Sequence, residues 1–152
     1  MKKIMLLVAS LVAGSLFMVG CQSSEEPMSQ SQSASQPQEM MKTVTGTITY
    51  RERIALPDNA QVMVLLQDVS RMDTAAIVIT KQQFMTNGHQ VPLAFELAYD
   101  ESVIQPKHTY AVSARIEVGG KLRFITDTQY LVITDEKNTT HADVRLIGVP
   151  QQ

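Results

Sequence analysis

The chain has 152 residues, 44% of them hydrophobic and 18% charged, with 13 basic and 15 acidic side chains. That length is a prior for one domain, and the near-neutral balance without a basic cluster argues against a nucleic-acid partner. Cys21 is the only cysteine, which excludes an intramolecular disulfide.

The N-terminus does not read as part of a fold. Lys2 and Lys3 form a basic start, and Ile4 to Met18 is an apolar run broken only by Ser10, Gly14 and Ser15. The run is short for a membrane span and has the flanks of a secretory signal. It closes on Val19-Gly20-Cys21, the small-residue pattern of a lipobox. An odd cysteine in an exported chain needs an explanation, and its position supplies one. The Cys21 thiol takes a diacylglycerol, and the amine freed by cleavage behind residue 20 takes a palmitoyl-type chain. Each buried methylene contributes ~0.8 kcal/mol, so two or three acyl chains make a durable anchor where one would not. Gln22 stands where an Asp would hold a lipoprotein at the inner membrane of a Gram-negative cell, so it favours sorting to the outer membrane, facing the periplasm. Removing Lys2 and Lys3 with residues 1–20 leaves 11 basic against 15 acidic residues, a balance of −4.

Residues 21–42 begin with the lipidated cysteine and continue as a Ser/Gln-rich stretch with two prolines. Such a composition buries too little surface to offset its ordering entropy. It reads as a tether with a typical span of ~25 Å and a reach of ~65 Å.

Residues 43–150 read as the folded domain, and their signal is alternation with period two. Val44, Gly46, Ile48 and Tyr50 alternate with Thr45, Thr47, Thr49 and Arg51. Gln61 to Val69 is a second strand, apolar on both sides at Met63-Val64-Leu65-Leu66, with Met63 expected in the core. Ala76 to Phe84 is a third. Val91 to Tyr99 alternates cleanly and contains Pro92, which confines it to a sheet edge. Tyr110 to Val118 repeats the pattern, turns at Gly119-Gly120 and returns through Leu122 to Thr126. Tyr130 to Thr134 and Ala142 to Val149 complete the set. Leu56-Pro57-Asp58-Asn59, Asn87-Gly88 and Asp135-Glu136-Lys137-Asn138 supply turns, and Glu101 to Gln105 holds barely one helical turn. Seven or eight short strands at this spacing predict an all-β, antiparallel β-sandwich.

Chemistry is sparse. His89, His108 and His141 have no acidic or cysteine partner at metal-ligand spacing. There is no phosphate loop and no nucleophile elbow, so no cofactor and no enzymatic activity are expected. Asp68, Asp73, Glu96, Asp100 and Asp127 are scattered beside polar or turn residues, where turn chemistry outweighs a catalytic pair. Arg51, Glu52 and Arg53, with Asp68, Arg71 and Asp73, could form a charged cross-strand network; Arg51, Arg53, Asp68 and Arg71 are the candidate partner surface.

Several blocks are recognisable. Thr45-Gly46-Thr47-Ile48-Thr49-Tyr50-Arg51-Glu52-Arg53-Ile54-Ala55-Leu56-Pro57 resembles the opening strand of the YbaY/YscW-type lipoprotein family. Leu66 to Arg71, Val91 to Leu97, His108 to Ile116 and Phe124 to Thr128 resemble its later blocks, in order. The resemblance spans roughly residues 44–149. It implies a β-sandwich lipoprotein of the outer membrane. Some members are pilotins of type III secretion that escort a secretin ring subunit; this sequence looks more like the free-standing branch. Cys21 is the one functional residue the resemblance carries over.

Two functions compete. The first is a non-enzymatic, pilotin-like or chaperone-like interaction module, tethered to the membrane by lipid, that binds an envelope client by strand addition or in a groove. The second is an envelope glycan-binding or polysaccharide-metabolism protein. Sugar sites favour exposed aromatics, whereas this domain has no Trp, and three of Tyr50, Tyr99, Tyr110 and Tyr130 fall on inward phases.

Overall fold

A computed structural model describes residues 40–150. Its strands are β1 (Met41–Tyr50), β2 (Gln61–Asp68), β3 (Ile77–Met85), β4 (Leu93–Asp100), β5 (Tyr110–Val118), β6 (Lys121–Ile125), β7 (Tyr130–Val132) and β8 (His141–Gly148). One 3-10 turn, Glu101–Val103, is the only helix among the described residues. The described chain is thus all-β, with strands where the alternation placed them and small shifts at their ends.

Alternation sets which side chains face inward. Val44, Gly46, Ile48 and Tyr50 of β1 are buried, as are Leu93, Phe95, Leu97 and Tyr99 of β4. Val62, Val64 and Leu66 face inward from β2, and Val144 and Leu146 from β8. Each such aliphatic side chain contributes about 1.5–3 kcal/mol by leaving water. Tyr50 stacks on Phe124 with ring centroids 4.2 Å apart, joining β1 to β6 through the interior. Met63 is half-buried on the outer face rather than in the core. It lies between inward Val62 and Val64, so the pleat turns it outward whatever its hydropathy.

The hydrogen-bonded order is β3-β2-β5-β6-β8-β1-β4, with β7 also on β5. The β6–β8 ladder is short, pairing Phe124 with Gly148 and Ile125 with Ile147. Together the strands form a mixed, nearly closed, barrel-like sheet. The expectation of a wholly antiparallel arrangement needs correction: β1 and β8 pair in parallel, Thr45 opposite His141 through Tyr50 opposite Leu146. Parallel neighbours need a long crossover, and here all the intervening strands supply it. Alternation looks the same beside a parallel or an antiparallel partner, so local pattern could not distinguish them.

β4 is terminal in this order, as Pro92 implied, although Pro92 itself sits just before the strand. The other terminal strand is β3, which carries a bulge where its register with β2 shifts after Leu66. The turns use the residues expected. Asn87 and Gly88 both have positive φ, and His89 N–H donates to Thr86 O at 2.8 Å. Gly119 and Gly120, also at positive φ, join β5 to β6.

Candidate functional site

The sheet has two ends. The proximal end holds the first residues of β1, β3, β5 and β8 and the last of β2, β4 and β7; the distal end holds the opposite ends of these strands. The candidate surface residues divide between them. Arg51 and Arg53 are exposed just beyond β1, at the distal end, and Arg71 is exposed just beyond Asp68, at the proximal end. β2 runs between the two groups, so the structure does not bring these four residues into one patch. Cys21 and Gln22 lie outside the described residues.

Asp68 has a partner that the sequence concealed. Its Oδ2 lies 2.6 Å from His108 Nδ1, forty residues away in the chain. Its Oδ1 accepts from Ser70 N–H at 2.9 Å and from the Ser70 hydroxyl. Ser70 Oγ in turn accepts from Thr109 N–H at 2.8 Å, and the His108 carbonyl accepts from Thr134 Oγ1 at 2.7 Å. The Asp68 side chain is only 10% exposed. Burial alone would raise its pKa, but the hydrogen bonds from Ser70 and His108 outweigh that and hold the carboxyl at about 2. The residue types are those of a nucleophilic triad, yet the order is different. Ser70 donates to the carboxylate rather than to the imidazole, so the carboxylate is the hub. The arrangement staples three proximal loops together.

The other carboxylates take separate local roles. Asp100 Oδ1 accepts from Ser102 N–H at 2.8 Å and caps the 3-10 turn. Asp127 accepts from the Thr128 hydroxyl, and Asp73 is exposed in the loop after β2. His141 lies 3.3 Å from Asp143, whose pKa is lowered chiefly by the Thr47 hydroxyl. Among the described residues no group of three His, Cys, Asp or Glu could hold a metal ion.

Two cavities flank the loop after β7. One, of about 430 Å³, is lined by Lys42, Tyr99, Ile104, Pro106 and Ile133 among others. The second, of about 590 Å³, lies against Tyr110, Leu131 and Glu136, and Thr134 borders both. Ile133 between them has φ +69°, rare for a β-branched residue. Thr134 N–H donates to Val132 O across it, and Ile133 N–H donates to Thr139 O, both at 2.8 Å. Asp135 closes the loop by accepting from Thr139 N–H and its hydroxyl; the hydroxyl bond is the main cause of its lowered pKa. A third cavity, of about 350 Å³, opens at the distal end between Phe84 and Met85 of β3 and Leu93 and Ala94 of β4.

Residues 39–146 match the model of the type III secretion system lipoprotein chaperone family, YscW. The chain belongs to this family. It is 37% identical over 116 residues to the uncharacterized lipoprotein YbaY of Escherichia coli (strain K12). That alignment covers 76% of this chain and 60% of the relative, so the chain spans about 60% of that relative's length. Among solved structures it is similar to an alternative pilotin from the type II secretion system of Vibrio cholerae, at 62% identity and a TM-score of 0.72. The match covers 73% of this chain and 99% of that one. The family resemblance stated from the strand blocks is thereby borne out, and the solved relative stands on the pilotin side of it.

Proposed function

We propose that this family member is a pilotin-type lipoprotein: a non-enzymatic escort that holds an envelope client, in particular a secretin ring subunit, at the outer membrane. The observation that carries this reading is the 62% identity to a solved pilotin along nearly all of that protein's length. In this reading residues 1–20 are cleaved, Cys21 carries S-diacylglycerol and N-palmitoyl chains, and Gln22 directs sorting to the outer membrane. The stretch from Gln22 up to the start of β1 at Met41 then gives the folded domain its reach into the periplasm. Arg51 with Arg53, and Arg71 separately, offer docking charges at two places rather than one. The glycan-binding alternative has nothing comparable in its favour. Tyr50, Tyr99 and Tyr110 are buried, and the half-buried Tyr130 is tied to the Arg145 backbone by a 2.8 Å hydrogen bond.

The test is membrane fractionation of cells expressing the full chain or its Cys21→Ser variant. With Cys21 present, chain and secretin subunit should band together with the outer membrane. With Cys21→Ser, the chain should become soluble and the secretin subunit should fall from that fraction by roughly tenfold or more, because the acyl anchor is gone. Equal delivery of the subunit in both strains sinks the escort reading.

A further inference from the structure

The exposed apolar side chains are not spread evenly over the domain. Of the ten large ones among the described residues, only Ile54, Met85 and Ile147 lie toward the distal end. Six of the others meet at one proximal corner. Met40 and Met41 lead into β1, and the Met40 carbonyl accepts from Glu101 N–H at 3.0 Å, against the 3-10 turn that carries Val103. β3 begins at the proximal end and β4 finishes there, and the two strands touch where Glu96 N–H meets the Gln82 side chain. Going back along β3 therefore goes forward along β4, which brings Ile77 and Val78 beside that same turn. Met72 stands in the loop just before them, 97% exposed. Exposed apolar groups gathered at one place mark a contact with a protein or a membrane, whereas scattered ones mark nothing.

What covers this corner follows from where the chain leads. The described residues begin at Met40, so the segment joining the domain to Cys21 enters here. That segment is the eighteen residues from Gln22 to Glu39. A flexible chain of that length has a typical span of ~25 Å, less than the ~33 Å that the ten residues of β1 cover. With Cys21 in the bilayer, the proximal corner is held nearest to lipid, and the distal end is a strand's length further off. A tether this short gives an effective concentration of the order of millimolar, so weak insertion is enough to be populated. None of the six side chains lines any of the three cavities described above, so the corner offers no socket for a shaped partner. Three of the six are methionines, flexible side chains that adapt to a partner without fixed shape. Lys42, Arg71, Lys107 and Lys137 at this end are outnumbered by its carboxylates, so lipid phosphate is not what draws it.

We propose that this proximal corner rests in the interfacial zone of the bilayer, a second, non-covalent membrane contact in which Met72, with Met40, Ile77 and Val103 beside it, inserts among the lipids. The proposal rests on the lipidated Cys21 of the reading above and fixes which end of the domain faces lipid. Arg51 and Arg53, at the opposite end, then lie farthest from the membrane.

The experiment uses the full lipidated chain in phosphatidylcholine vesicles, with no partner protein. The parent chain should take no thiol-reactive nitroxide, because acylation blocks Cys21, its only cysteine. Nitroxides attached through Met72→Cys and Val103→Cys should be reached by dissolved oxygen and shielded from an aqueous nickel chelate. Each should show an oxygen-to-nickel accessibility ratio at least about fivefold above that of the same label at Ile54→Cys, as interfacial burial requires. Adding phosphatidylglycerol should leave these ratios within about twofold, since the contact is apolar; a contact that appears only with that anionic lipid overturns apolar insertion. Met72 is almost wholly exposed, so its substitution leaves folding untouched. Equal ratios at all three positions, in a chain whose parent takes no label, overturn the contact and leave the anchor standing. Shielding that appears only when the purified secretin ring subunit is added makes the corner a protein interface and overturns the proposal. A parent chain that takes the label at Cys21 overturns the anchor and the contact with it.

Discussion

At the scale of single residues, Gly46 is the most closely packed glycine among the described residues. A Cβ there would lie 1.9 Å from the Ala142 carbonyl oxygen and 2.6 Å from the Phe95 ring. The ring can turn aside, but the carbonyl belongs to the β1–β8 ladder and cannot. Gly46→Ala should therefore lose at least about 3 kcal/mol in urea unfolding, at the upper end of what overpacking costs; a loss under 1 kcal/mol would mean that the ladder is softer than drawn. Asp68 gives a prediction in pH. Its carboxyl is held near 2, below the unfolded value of about 3.9, so it contributes stability above pH 4 that fades as pH falls through 2. Asp68→Asn should cost about 1–2 kcal/mol at neutral pH and flatten the acid limb of a stability titration. Legibility differs between these two residues. Gly46 sits on an inward phase of an alternating strand, so its burial could be read directly. The partnership of Asp68 with His108 has no local signal, because each is the polar end of its own strand and only the fold makes the two ends adjacent.

At the scale of elements, the strands were legible because one face of each is buried and the pleat repeats every two residues. The glycine turns were legible for a conformational reason. Gly119 has φ +58° with open space around the position of a Cβ, so only the backbone opposes a side chain there. Gly119→Ala should accordingly cost about 1 kcal/mol in thermal unfolding with no change in the packed core. Met63 marks the limit of hydropathy. Five apolar residues in a row, Val62 to Leu66, give no phase, and the outer face of a middle strand accepts methionine as readily as the core does. The contact between the terminal strands β3 and β4, where the Gln82 side-chain oxygen accepts from Glu96 N–H at 2.8 Å, could not be read at all. Gln82 is an ordinary polar residue in the sequence, and only its place opposite Glu96 makes it a substitute for a strand. Gln82→Ala should speed exchange of the Glu96 amide by about tenfold or more, since that N–H would lose its acceptor; unchanged exchange would mean that the bond does not hold in solution.

At the scale of the whole molecule, the first and last strands of the domain are neighbours. Thr45 lies beside His141, ninety-six residues away, and Thr47 reaches Asp143 over the same separation at 2.7 Å. Closing a loop of that length costs about 4 kcal/mol of chain entropy before any contact rewards it. β1 is thus half-finished until β8 arrives: β4 covers one of its edges and the other stays bare. For a chain made and exported from its N-terminus, the segment nearest the expected anchor is the first to emerge and among the last to be completed. The topology therefore imposes a delay. High contact order slows folding, and during that interval an exposed β1 edge is open to any other strand in the compartment. A chain cut short before His141 keeps the expected signal and Cys21 yet lacks the strand that ends the delay. It should reach the membrane without acquiring the cooperative unfolding transition of the intact domain.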